Sequence, residues 1–210
     1  HMCSIYDVVR IDHFRGFAGY YAIPYGEATA RNGRWREGPG YALFAAIKKK
    51  LGSPRIIAED LGFLTEDVTA LLKQCGYPGM KVLEFAFDPV EPGVYLPHNH
   101  PKNCVCYVGT HDNAPVLQWK DEADPAEVDM AVRYLGLNEE EGFHWGMIRG
   151  GMSSVADLFV AQMQDYLNLG GEARMNEPGI LKPQNWRWRM LPGAATPELA
   201  REIAAMTEEF

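Results

Sequence analysis

Four short apolar segments, each followed at once by polar or charged residues, constrain the fold of this 210-residue chain most strongly. Strands of a parallel sheet have this apolar character when both faces of the sheet are covered, because neither face meets water. The segments that we predict to be strands are residues 6–11, 54–58, 80–87 and 104–108.

Helical patterns occupy most of the intervals between and after these segments. Thr65 is placed as the N-cap of one helix and Gly76 as its end. Strands alternating with helices predict the α/β class. A (β/α)8 barrel and a doubly wound sheet both satisfy the pattern, and both place their sites at the carboxyl ends of the strands. The predicted helices are residues 41–50, 65–75, 125–134, 143–149, 155–168 and 194–210, and residues 16–40 are predicted to be a loop.

No boundary is evident, so we expect a single domain over residues 1–210, with His1 and Met2 set aside as the remnant of a cleaved tag. The net charge is −8, and the basic cluster at residues 48–50 fits the last turn of a helix, which argues against a nucleic-acid partner. No apolar run reaches the roughly 18–20 residues of a membrane span, so we expect no membrane partner and a cytoplasmic protein. No cofactor is expected, because the glycine-rich segments match neither a phosphate loop nor a dinucleotide fingerprint.

The first candidate site residues end the first predicted strand. The two-residue period of a strand places Arg10 and Asp12 on the same side. A guanidinium beside a carboxylate favours the ionised form that a nucleophile needs. A structural Arg–Asp pair at the end of a strand is the alternative interpretation.

Carboxylates also follow two later strands. Glu59 leaves an apolar strand, where partial burial suits a carboxyl group to general acid catalysis, although it could merely bind backbone donors. Asp60 beside it could cap the next helix. His111 and Asp112 end the fourth strand, and a metal site there lacks a third ligand at supporting spacing.

A loop rich in glycine and proline at residues 172–179 precedes the aromatic segment 185–189. Its tryptophan rings could stack on a flat apolar face such as that of a sugar, or could anchor the core or the loop.

Three carboxylates lie at strand ends in the order Asp, Glu, Asp. An arginine stands two residues before the first, and a histidine stands directly before the last. This arrangement resembles that of the α-amylase superfamily. The surrounding residues resemble more closely the 4-α-glucanotransferase (amylomaltase) family, over about residues 6–189. The segments that carry this resemblance are residues 6–17, 33–40, 58–62, 76–83, 96–99, 109–113 and 172–179.

The resemblance implies a fold and a set of site residues. The fold would be the C-terminal portion of a (β/α)8 TIM barrel, about strands 4 to 8, with the N-terminal strands missing. Asp12 would be the nucleophile, Glu59 the general acid/base, and Asp112 the stabiliser of the transition state. The implied substrate-binding residues are Arg10, His111, Asn176, Pro178 and Trp35, with no metal. Residues 114–115 depart from the family, which usually has an acidic residue there.

The resemblance also implies an activity. It is transfer of an α-1,4-glucan segment to the 4-hydroxyl of an acceptor, by a retaining double displacement on maltooligosaccharides. A partial barrel lacks part of its sugar groove, so we expect this chain to be weakly active or inactive by itself. We also expect it to self-associate through exposed barrel edges. The alternatives are an α-glucan hydrolase of the amylase superfamily and a catalytically silent carbohydrate-binding fragment.

Overall fold

The computed structural model describes residues 1–62, 64–90 and 93–210. The chain divides into two compact units, His1–Met80 and Lys81–Phe210, called unit 1 and unit 2 below. The single domain predicted over residues 1–210 stays a prediction. The strands are β1 (Val9–Ile11), β2 (Gly19–Ala22), β3 (Arg34–Glu37), β4 (Ile56–Ala58), β5 (Gly79–Val82), β6 (Cys104–Tyr107) and β7 (Leu158–Val160). The α-helices are α1 (Gly40–Leu51), α2 (Glu66–Cys75), α3 (Val116–Glu122), α4 (Pro125–Leu135), α5 (Phe143–Met152), α6 (Met163–Tyr166) and α7 (Pro197–Glu209).

Unit 1 is built on the parallel pair of β1 and β4. Their register aligns Ile11 with Ala58, so both strands end at the same level. All three residues of β4 are buried, as its apolar sequence predicts. Phe14 and Phe44 pack with ring centroids 5.3 Å apart in the core that α1 and α2 cover.

The loop predicted for residues 16–40 is wrong in part, because it contains an antiparallel hairpin of β2 and β3. β3 is exposed along its whole length, and its residues are mostly charged. It therefore lacks the alternation of apolar and polar residues by which strands are recognised. Gly38, directly after β3, allows the chain to pass close to Phe17, since a Cβ there would lie 2.3 Å from the backbone oxygen of Phe17.

The three-stranded sheet of unit 2 has the order β5-β6-β7. Of β5, only residues 81–82 belong to unit 2. β6 and β7 are parallel, with Cys106 opposite Phe159. The core of unit 2 lies between this sheet and the helices α3, α4 and α5. Its fully buried members include Leu83, Phe87, Val108, Met147 and Ile148.

Two predicted elements of unit 2 are corrected. The strand predicted for residues 80–87 ends at Val82, and a 3-10 helix, Leu83–Phe85, follows. The helix predicted for residues 155–168 is instead β7 followed by the short α6. Tertiary packing decides this, because Gly151 lets Phe159 approach to where a Cβ would meet its ring at 2.3 Å.

The other predicted helices are confirmed within one to three residues at their ends. α2 begins after Thr65 and ends at Gly76, whose φ of 70° is the left-handed conformation typical of a helix end. Helix α3 was not predicted from the sequence. Among the described residues, no helix is both long enough and apolar enough to span a bilayer.

Candidate active site

Asp12 and Glu59 follow the paired strands β1 and β4 of unit 1. Each comes one residue after the aligned pair Ile11 and Ala58. The ladder continues beyond the strands, since Glu59 N donates to Ile11 O at 2.9 Å. Neighbouring strands lie about 4.8 Å apart, so the two carboxylates leave adjacent points of one sheet edge.

Backbone donors fix the carboxyl group of Glu59, which is half-buried. Its Oε2 accepts from His13 N at 2.6 Å and its Oε1 from Leu61 N at 2.8 Å. His13 adopts the left-handed region with φ 49°. This conformation is costly for a residue with a side chain, and it turns the backbone directly after Asp12 towards Glu59.

Arg10 holds the other carboxylate. Its Nη1 lies 2.9 Å from Asp12 Oδ1, while its Nε donates to Met80 Sδ at 3.2 Å. The Asp12 side chain is 72% exposed, so it is open to a ligand. The structure thus brings Arg10 and Asp12 together, as the strand period predicts.

Asp60 has a structural role rather than that of a helix cap. It is buried, and its Oδ1 accepts from Met80 N at 2.6 Å. A Cβ on Gly79 would lie 2.4 Å from Asp60 Oδ2, so the glycine admits this carboxylate to the backbone of β5.

In unit 2, His111 and Asp112 belong to a hydrogen-bonded cluster. Asp112 Oδ2 lies 3.4 Å from His111 Nε2, and Asp112 Oδ1 accepts from Asn176 Nδ2 at 2.6 Å. Arg174 supports the backbone, because its Nη2 donates to Asp112 O at 2.7 Å and its Nε to Asn176 O at 2.9 Å. Arg174 was not among the predicted site residues, although it lies in the segment 172–179 that carried the resemblance.

Three of the five predicted substrate-binding residues, Trp35, Asn176 and Pro178, differ in their surroundings. Trp35 is 60% exposed and lines a groove of about 510 Å³ in unit 1, with Arg15 lying 4.9 Å over its ring. Asn176 contacts Asp112 as described. Pro178 lies in an exposed turn with Gly179.

Trp186 is a further candidate beside His111. The two rings lie 5.0 Å apart, and the Trp186 side chain is 62% exposed. Its φ of 65° is an outlier for a bulky residue, and Trp186 N donates to Met175 O at 2.7 Å to hold it. In the sequence, this ring was only one of several possible sugar platforms.

Two buried carboxyl groups of unit 2 escaped the sequence analysis. Glu84 and Asp165 are 6% and 1% exposed. Burial raises the pKa of Glu84 well above its ordinary range, and the nearby charge of Asp165 raises it further. Burial also raises the pKa of Asp165 to about 6. Apolar residues before these positions are the only sign of burial in the sequence. Nothing in the sequence indicates that Glu84 and Asp165 lie near each other.

No metal cluster is formed within residues 1–62, 64–90 and 93–210, in the sense of three or more His, Cys, Asp or Glu side chains placed to hold an ion. A pair of carboxyl groups at the ends of adjacent strands is the arrangement that enzymes cleaving glycosidic bonds with retention use for their nucleophile and their acid/base.

Comparison with known proteins narrows this class. Residues 1–195 match the family described as 4-alpha-glucanotransferase, and the chain belongs to this family. It is 51% identical over 99% of its length to a 4-alpha-glucanotransferase of Clostridium butyricum, and 47% identical over 98% to one of Thermus thermophilus. It covers 42% of each of these proteins, so it spans about two fifths of the length of its relatives.

A solved structure confirms the fold class. The amylomaltase from Streptococcus agalactiae in complex with acarbose matches 97% of this chain with a TM-score of 0.92 and 36% identity. The match covers 41% of that amylomaltase chain. The predicted fold, an α/β chain with parallel strands that forms part of a (β/α)8 barrel protein, is therefore confirmed.

Proposed function

We propose that this chain carries the catalytic residues of a 4-α-glucanotransferase that acts by retaining double displacement. The observation that carries the proposal is the placement of Asp12 and Glu59 directly after the aligned ends of β1 and β4. A retaining mechanism needs two carboxyl groups only about 5–5.5 Å apart, and adjacent strand ends provide such closeness.

Each carboxylate has a role in the two steps. Asp12 attacks the anomeric carbon of an α-1,4-linked glucosyl unit, while Glu59 donates a proton to the departing 4-oxygen. The glycosyl ester on Asp12 is then attacked by the 4-hydroxyl of an acceptor, whose proton Glu59 takes up. The ester bond breaks, Asp12 is regenerated, and a new α-1,4 bond replaces the one that was cut.

The unit 2 cluster is suited to hold sugar hydroxyls. Asp112 accepts from Asn176 through one oxygen, and its side chain remains 45% exposed for further hydrogen bonds. We assign to Asp112 the stabilisation of the transition state through hydroxyl contacts, with His111 beside it. Trp35 and Trp186 offer exposed rings on which a sugar face can stack.

α-1,4-Glucans and maltooligosaccharides are the proposed substrates, and the similar amylomaltase in complex with acarbose supports a site for such ligands. We place the protein in the cytoplasm. The four cysteines, all within the described residues, form no disulfide, and Cys104 and Cys106 are buried, as expected where thiols stay reduced.

The decisive experiment traps the ester on Asp12. A Glu59→Gln variant is incubated with an α-maltosyl fluoride, whose leaving group needs no acid, and the intact mass and peptides are read by mass spectrometry. A glycosyl adduct on the peptide that contains Asp12 is expected, and Asp12→Asn must abolish it. Asp7→Asn, an exposed residue on the same segment, is the matched control and should leave the adduct in place.

Product analysis with maltotriose separates the possible activities. Glucose with longer maltodextrins indicates transfer, and glucose with maltose alone indicates the hydrolase. Weak or absent product formation is expected of a partial barrel, so the adduct decides. Binding of maltoheptaose with no adduct on the peptide that contains Asp12 would identify a silent carbohydrate-binding chain and refute the proposal.

A further inference from the structure

Asn185 lies half-buried beside residues 177–180, here called the 177–180 segment. Its side-chain amide makes three hydrogen bonds to the backbone of this segment. Nδ2 donates to Glu177 O at 3.3 Å and to Ile180 O at 3.0 Å, and Oδ1 accepts from Glu177 N at 3.2 Å. One side chain therefore holds both ends of the segment.

The chemistry of these bonds is specific to asparagine. An amide side chain offers N–H donors and a carbonyl acceptor, and the Asn185 side chain uses both kinds of group. An aspartate has the same shape but no donor at neutral pH, so it would set a carboxylate oxygen against the carbonyl oxygens of Glu177 and Ile180. A glutamine would be one carbon longer. The position thus requires the donors of asparagine as well as its length.

Other interactions hold the 177–180 segment weakly. Pro178, Gly179 and Ile180 are exposed, so burial contributes little to fixing their backbone. Lys182 forms an ion pair with Glu177, but both side chains are partly in water, where such a pair contributes little. The amide of Asn185 is therefore the principal restraint on this segment.

Asn185 also fixes the peptide unit between Asn176 and Glu177. The N–H of this unit, on Glu177, donates to Asn185 Oδ1. Its carbonyl oxygen, on Asn176, accepts from Arg174 Nε at 2.9 Å. A peptide unit is planar, so bonds on its two opposite sides determine its orientation.

The orientation of this peptide unit matters for the candidate site. Asn176 N donates to His111 O at 3.0 Å, and Asn176 Nδ2 donates to Asp112 Oδ1 at 2.6 Å. Both bonds need the backbone of Asn176 in one place. Rotation of the peptide unit that follows would therefore loosen both.

Trp186 directly follows Asn185 along the chain. Its φ of 65° is costly for a bulky residue and persists only where neighbouring contacts hold it. Trp186 N donates to Met175 O at 2.7 Å on one side, and the bonded side chain of Asn185 holds the preceding residue. These contacts keep the Trp186 ring 5.0 Å from the ring of His111.

We propose that Asn185 is a positioning residue for glucan binding. Its side-chain amide closes the 177–180 segment and thereby holds Asn176 and Trp186 at the candidate site. The relevance to glucans rests on the proposed function. The positioning itself does not, so its test measures the backbone directly and gives an answer whether or not the chain turns over a glucan.

The test measures hydrogen exchange of single backbone amides by NMR, in the intact chain and in its Asn185→Ala variant. The amides of Asn176 and Trp186 are the readout, because they donate to His111 and Met175 and not to the replaced side chain. We expect both to exchange about tenfold faster in the variant. The amides of β6 are the internal reference and should keep their rates, since a fold that is destabilised as a whole would expose them too.

Further variants separate hydrogen bonding from packing and from charge. Asn185→Asp keeps the shape and the acceptor but lacks the donors, so it should accelerate the same two amides, and it decides if the alanine variant does not fold. Lys182→Ala removes only the ion pair with Glu177 and should leave the rates almost unchanged. Gln184→Ala, at an exposed neighbouring position, is the matched control and should change neither rate.

Calorimetry with acarbose tests the part that concerns glucans. Asn185→Ala should weaken binding about tenfold, because the loosened segment must be ordered when the ligand binds. Equal affinity in the variant would overturn the role in glucan binding. Unchanged exchange of the Asn176 and Trp186 amides in Asn185→Ala, or in Asn185→Asp, would overturn the positioning. Absence of binding by the unchanged chain would count against the proposed function and would leave the exchange result standing.

Discussion

Replacing Asp165 by asparagine should flatten the pH dependence of stability. Asp165 is 1% exposed, and its Oδ1 accepts from Val116 N at 2.8 Å at the start of α3. Burial raises its pKa from 3.8 to about 6. A shift of roughly 2 units corresponds to about 3 kcal/mol between the two protonation states, at 1.36 kcal/mol a unit.

The direction follows from proton linkage. The folded state retains the proton of Asp165 to higher pH than the unfolded state does, so the unfolded state binds fewer protons in the interval. The contribution of Asp165 to the free energy of unfolding is therefore fully present below about pH 4, and it is lost as the pH rises through about 6. The raised pKa of Glu84 acts in the same direction.

Asparagine keeps the acceptor for Val116 N but does not ionise. Its NH₂ group replaces Oδ2, which has no hydrogen-bond partner among the described residues. This replacement costs about 1–3 kcal/mol at every pH and so leaves the slope unaffected. Urea denaturation over a pH series should show that stability of the unchanged chain falls about 3 kcal/mol more between pH 4 and 7 than that of the variant. Asp129→Asn, an exposed position on α4, is the control and should keep the original slope. Parallel curves for Asp165→Asn and the unchanged chain would show that ionisation of Asp165 does not set the pH dependence of stability.

Further predictions concern packing, the site and assembly. Gly79→Ala should lower the free energy of unfolding by about 1–3 kcal/mol in urea, because its Cβ would lie 2.4 Å from Asp60 Oδ2. Gly16→Ala, whose Cβ would make only an ordinary contact at 3.4 Å, should change little by comparison. Asn176→Ala should weaken acarbose binding about tenfold or more in calorimetry, since it removes the 2.6 Å bond to Asp112; equal affinity would contradict the site. Trp186→Ala should weaken the same binding and Trp186→Phe preserve most of it, if the ring is a stacking platform. Light scattering should show the self-association expected of exposed barrel edges, and a monomer at all concentrations would exclude it.

The sequence was most informative where the chemistry is local. Arg10 and Asp12 are two residues apart on one strand, so the period of the strand alone predicts their contact at 2.9 Å. Apolar residues before Glu59 predict the buried strand that carries it. The meeting of β1 with β4 follows from the class of fold, because parallel strands end at one edge.

Features that depend on distant packing were not predictable. The hairpin of β2 and β3 has polar strands, and β7 was read as helix although its Phe159 packs on Gly151. The same holds for the bond from Arg174 to Asp112, which joins residues 62 positions apart. Nothing in the period or composition of either segment encodes such a contact.

Glu59 and Glu84 show why a carboxylate at the end of an apolar segment has no fixed chemistry. Both follow short buried strands, and the sequence before each is similarly apolar. Two backbone N–H groups, one of them turned in by the left-handed His13, hold the carboxyl of Glu59 at the edge of unit 1. Glu84 instead turns into the core of unit 2, where one oxygen has no partner among the described residues. The direction of the chain after the strand, rather than the residue type, therefore decides which glutamate stays at the edge of its sheet and which is buried in the core.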